Sequence, residues 1–85
     1  MRALSYDQLT LTAATGLTPP AGASMAWLQA ESANIRYKLN GQDPTAASGL
    51  IMRSTEPPIE IQTDLYAVRV IQESAGSKLN IIYFG

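Results

Sequence analysis

The residues of this sequence best able to do chemistry are seven carboxylates: Asp7, Glu31, Asp43, Glu56, Glu60, Asp64 and Glu73. There is no histidine and no cysteine beside them. Without imidazole or thiolate there can be no triad built on either, no thiol chemistry, and no zinc site of the Cys or His kind. The acids alone could support glycoside hydrolysis, in which two carboxyl groups face one cleft roughly 5 to 9.5 Å apart. No motif pairs them. They fall singly along the chain, mostly in turns, where an acid is ordinarily solvated or caps the local backbone, so the chain is expected not to be an enzyme.

The remaining polar chemistry is equally sparse. No Gly-x-Gly run opens a helix, so neither a phosphate loop nor a dinucleotide loop is expected. Asn40 and Asp43 offer oxygens for calcium, but the repeated acidic positions of a calcium loop are missing, and hydrogen bonding within the turn is the expected use of both. No cofactor and no metal follow from these residues. Trp27, Tyr37, Tyr66 and Tyr83 are the material for a sugar-stacking platform. Because the tyrosines alternate with aliphatic neighbours, packing in the core is the simpler expectation for them, and for Trp27 as well, although its run is less regular.

The elements that must position these residues read as strands. Asp7 to Ala13 places Leu9 and Leu11 on one face and Thr10 and Thr12 on the other, the period of two of a half-buried strand. Ala14 to Ser24 contains Gly16, Pro19, Pro20 and Gly22 and reads as a loop. Met25 to Gln29 is a short apolar run that fits a strand or a helical turn, and its shortness, its place between a Pro/Gly loop and a polar turn, and Trp27 favour strand. Ile35, Tyr37 and Leu39 then alternate with Arg36 and Lys38, whose basic face reads as solvated or as the guard of an edge strand. Asn40-Gly41, Asp43-Pro44 and Ser48-Gly49 make the stretch after it a turn-rich loop.

Gly49 to Arg53 and Ile59 to Gln62 add two short strands around the Pro57-Pro58 break. Leu65 to Gln72 is the strongest β run, with Tyr66, Val68 and Val70 on one face. Lys78 to Phe84 follows Glu73 to Ser77, and the last two strands are expected to pair as a hairpin around Ala75-Gly76. About seven short strands at intervals of roughly 8 to 12 residues define an all-β domain, a small antiparallel sandwich or barrel spanning residues 1–85. In the final strand Leu79, Ile81 and Tyr83 share one face, which leaves Ile82 and Phe84 on the other. A strand that is apolar on both faces needs cover on both, which makes Ile82, Phe84 and Tyr83, with Trp27, the candidate protein interface.

Composition limits the partners. Six basic and seven acidic residues, scattered singly, give a net charge of −1 in 85 residues, with no basic patch, so nucleic acid is not expected as a partner. Charged residues make up 15% of the chain, against roughly 25% in ordinary domains, and so bland a surface suits packing against other protein. No apolar run approaches the ~20 residues of a membrane span, and the N-terminus lacks the apolar stretch of a signal peptide, so a soluble product made in a cytoplasm is expected. A domain of this size is near the lower limit for independent folding, and without disulfides or metals its expected supplement is homo-oligomerisation.

Two resemblances add to this reading. Ile35-Arg36-Tyr37-Lys38-Leu39-Asn40-Gly41-Gln42-Asp43-Pro44-Thr45, then Gly49, Leu65 to Ile71, and Gly76-Ser77-Lys78-Leu79-Asn80-Ile81-Ile82-Tyr83 resemble a group of small virion proteins of tailed bacteriophages. The opening Ala3 to Leu11 is similar to the start of such proteins. The resemblance covers most of the chain and implies a non-enzymatic component of the virion, a head decoration or cement protein made in the bacterial cytoplasm and bound to other virion proteins, the major capsid protein among them. A tail or neck position fits the same residues. The second resemblance covers only the middle of the chain. Ile35-Arg36-Tyr37-Lys38-Leu39-Asn40-Gly41 with Asp43-Pro44-Thr45 is similar to the strand and turn of immunoglobulin-like accessory modules of glycoside hydrolases, where a Tyr-x-x-Asp-Gly-x-x-Pro pattern occurs, with Asn40 in place of the Asp. The alternative function is a carbohydrate-binding or adhesin module, with Trp27 or an exposed tyrosine stacking on sugar. Such modules adjoin large catalytic domains, which an 85-residue chain opening on Met1 is expected to lack.

Overall fold

Alternation of apolar and polar residues dictates the architecture, and the computed structural model, which describes residues 1–85, resolves it into eight strands. These are β1 (Ala3–Thr10), β2 (Thr15–Gly16), β3 (Met25–Glu31), β4 (Ile35–Lys38), β5 (Leu50–Met52), β6 (Ile59–Ile61), β7 (Arg69–Gln72) and β8 (Lys78–Phe84). They form two four-stranded sheets, ordered β1-β8-β3-β6 and β2-β7-β4-β5, in which every pairing is antiparallel. The sheets are separate, which makes the fold a sandwich and not a barrel. The strand beyond the expected seven is β2, a two-residue edge inside the Ala14 to Ser24 loop that pairs Thr15 with Val70.

The inward faces meet in one core. Ala26, Leu28, Ala30, Ile61, Leu79, Ile81 and Tyr83 from the first sheet pack with Ile35, Met52 and Val70 from the second, while Leu11, Leu17, Leu65 and Val68, outside the strands, close the layer. Leu9 and Leu11 point inward as their alternation requires. The register Leu9↔Leu79↔Ala30 and Asp7↔Ile81↔Leu28 carries that face across the first sheet. Since the side-chain period is two, the same register carries the other parity outward, as rows Tyr6↔Ile82↔Trp27↔Glu60 and Gln8↔Asn80↔Gln29.

Three expectations are corrected. The strongest β run begins instead as a 3-10 turn, Leu65–Ala67, because the Asp64 carboxylate accepts from Tyr66 N at 3.0 Å and the Asp64 carbonyl from Ala67 N at 3.1 Å. This local bonding displaces Tyr66 from the face of Val68 and Val70 and leaves it 73% exposed, not in the core. The last two strands do not form a hairpin. β7 joins the second sheet and β8 the first, and the connection between them arches across the core. Ser77 holds this arch: fully buried, its hydroxyl lies 3.1 Å from the Asn34 carbonyl and 3.0 Å from that of Ser74, while its own carbonyl accepts from Leu11 N.

The third correction concerns β4. It lies between β7 and β5 and is no edge strand, so Arg36 and Lys38 guard no edge. Arg36 has a structural partner instead: Nε is 2.8 Å from Glu73 Oε2 and Nη1 donates to the Gly49 carbonyl at 3.0 Å. This ties the arch and the loop after β4 to one strand. Within that loop Asn40 Oδ1 accepts from Gln42 N.

Candidate functional site

The carboxylates are mostly engaged with their surroundings. Asp43 pairs with Arg69 Nε at 2.7 Å, Glu73 with Arg36, Glu56 with Arg53 at 3.8 Å, and Asp64 caps its turn. Glu60 accepts from Trp27 Nε1 and from Gln62, and Glu31 from Asn80. No three acids cluster in a way that could hold a metal ion. Asn40 and Asp43, the imagined calcium ligands, serve the turn and an ion pair to β7 respectively.

The concentration of unusual surface lies on the outer face of the β1-β8-β3-β6 sheet. Alternation along β8 puts Ile82 and Phe84 there, half-buried, and alternation along β3 adds Trp27, 41% exposed. The Trp27 and Phe84 ring centroids are 5.2 Å apart with planes inclined at 56°, a tilted aromatic pair. Met25, opposite Phe84 in register, is buried outside the main core, so this end of the face is a small apolar layer of its own. Of the sequence-derived interface residues, Trp27, Ile82 and Phe84 come together on this face. Tyr83 does not. It points into the core, fully buried, where its hydroxyl accepts from Thr18 N at 3.1 Å. Burial pushes the Tyr83 phenol up from the usual 10.0; the Thr18 bond opposes the rise and Asp7 adds to it.

One member of the face was not foreseen. Tyr6, 60% exposed, stands two strands from Trp27 with Ile82 between them. β1 starts at Ala3, four residues before the Asp7 expected from the sequence, and the parity shared with Gln8 and Thr10 is the signal that would have placed Tyr6 outward. Trp27 likewise is a surface residue and not a core one.

A polar ladder adjoins the apolar strip. Asn80 Oδ1 accepts from Tyr6 Oη at 3.0 Å and from Gln8 Nε2 at 2.9 Å, while Asn80 Nδ2 donates to Gln29 Oε1 at 3.4 Å and to Glu31 Oε1 at 3.1 Å. The Asn80 amide has both donors and its oxygen engaged, which fixes Tyr6, Gln8 and Gln29 around it. Between the strip and the ladder is a depression of about 150 Å³ lined by Tyr6, Trp27, Gln29, Pro58, Asn80 and Ile82. No family model matches the sequence, and the comparisons with curated proteins and with solved structures return no match. No helix is long and apolar enough to cross a membrane.

Proposed function

We propose that the chain is a non-enzymatic structural component of a tailed-bacteriophage particle, a decoration or cement protein that strengthens the head by contact with the major capsid protein and with copies of itself. The observation that carries the reading is the apolar end of the outer sheet face, where exposed Trp27 lies beside half-buried Ile82 and Phe84 although each belongs to a strand already packed on its other side. Residues of this kind on one face of a small domain of low charge mark a protein contact. The likeness of Ile35 to Thr45 and Gly76 to Tyr83 to small virion proteins supplies the setting.

The test is an antibody against the purified chain applied to purified particles of the source phage. Regular labelling of the head is the expected result. Labelling at the tail or neck would move the protein to that position, and unlabelled particles would overturn the reading. Light scattering over a range of concentrations tests self-association, and Phe84→Ser with Ile82→Ser is expected to lower both the oligomer mass and the labelling density.

A further inference from the structure

The polar half of the same face has a chemistry that protein packing does not call for, and we propose that it is a binding site for a neutral pyranose glycan. The inference goes beyond the particle reading and does not rest on it. Its basis is the combination of two exposed rings and a fixed amide ladder: Trp27 and Tyr6 flank Ile82 across two inter-strand steps, about 10 Å, along one row. The C–H face of a pyranose ring packs on the electron-rich face of an aromatic ring, and its hydroxyls need donors and acceptors at the rim. Here the rim is present. With Asn80 saturated by its neighbours, Gln29 Nε2 and Gln8 Oε1 are left free, one a donor and one an acceptor, in the row next to the rings.

Both rings are held in place in the absence of ligand. Trp27 Nε1 donates to Glu60 Oε1 at 3.2 Å and Tyr6 Oη to Asn80, so little side-chain freedom remains to be lost on binding. The charges of the face are Glu31, Glu60 and Lys78, with Lys78 opposite Glu31 in register, which leaves the face net negative and disfavours an acidic sugar. A second protein is the poorer occupant of this half. A stable protein contact is built around a desolvated apolar centre, whereas the lining here includes the side-chain amides of Gln29 and Asn80.

Trp27 is the only tryptophan, so its emission reports on the site without labelling. The experiment titrates the full chain with neutral hexasaccharides (cellohexaose, chitohexaose, xylohexaose and mannohexaose) and follows Trp27 emission. A saturable shift with at least one of them is expected. Tyr6→Ala and Asn80→Ala are each expected to weaken that binding about tenfold, the equivalent of ~1.4 kcal/mol. Leu50→Ser, at an exposed position on the other sheet, is expected to change it less than about twofold. No saturable shift with any of the four sugars would overturn the proposal, as would sugar binding indifferent to Tyr6→Ala and Asn80→Ala. Loss of particle labelling in Tyr6→Ala would assign this half to a protein partner instead.

Discussion

At the scale of single residues, two small side groups control connections that no long-range pattern reveals. Gly49 follows the Pro44 to Ser48 turn with φ 126°, a conformation L side chains rarely adopt, and a Cβ there would lie 3.1 Å from Pro44 Cβ and 3.1 Å from the Tyr37 carbonyl. Gly49→Ala is expected to destabilise the protein by about 1–3 kcal/mol in denaturant unfolding, the range for a strained backbone position. Ser77 offers the complementary case, since its buried hydroxyl is shared between two carbonyls of different segments. Removing it leaves the Asn34 carbonyl still bonded to Glu73 N, so Ser77→Ala should cost about 1 kcal/mol and not the larger penalty of an orphaned group. An unchanged midpoint in Ser77→Ala would mean that the hydroxyl contributes nothing to the arch.

At the scale of elements, the sequence states which residues alternate but not where local hydrogen bonding interrupts the alternation. Strands β4, β6 and β8 were legible because each has apolar residues at period two, and β3 because a short apolar run with Trp27 lies between breakers. The outward direction of Ile82 and Phe84 follows from the period of β8 alone. The Leu65 to Gln72 run misled for a definite reason: Asp64 offers the Tyr66 amide a side-chain bond, and a 3-10 turn then aligns Leu65 with Val68. Leu65→Ala is accordingly expected to cost about 2–5 kcal/mol, whereas Tyr66→Ala should lie within about 0.5 kcal/mol of the parent. Equal and large costs from thermal unfolding of the two variants would favour a regular strand through Tyr66. The arch between β7 and β8 was illegible too, because Glu73-Ser74-Ala75-Gly76-Ser77 has the composition of a hairpin turn. What separates the strands is the bonding of Glu73 N and Ser77 Oγ to Asn34, a residue some 40 positions earlier in the chain. The candidate site was half legible on the same grounds, since parity placed Ile82 and Phe84, while Tyr6 needed the true start of β1 and the Asn80 ladder needed the register of three strands.

At the scale of the whole molecule, stability rests on one core between two sheets, since there is no cysteine to cross-link it. That makes the ionisation of groups at the core a direct lever on folding. Tyr83 lies in the core and Tyr37 against it; burial raises the phenol of each from the usual 10.0, with Glu56 adding to the rise at Tyr37. In the unfolded chain these phenols lose their protons near 10.0, while in the folded protein they keep them to higher pH. Above pH ~10 the unfolded state therefore binds fewer protons, and stability falls as pH rises. The contribution of the two tyrosines is fully present below the unfolded value and is lost as pH climbs through the folded ones, with a slope of up to ~1.4 kcal/mol per pH unit for each group. In an alkaline titration, part of the tyrosinate absorbance is expected to appear only together with loss of far-UV circular dichroism. Tyr83→Phe should remove one tyrosine from that late fraction and flatten the fall in stability above pH ~10. If all four tyrosines ionised in a single early step while the β signal persisted, the core would be open enough to hydrate Tyr83, and the two-sheet packing described for it would be wrong.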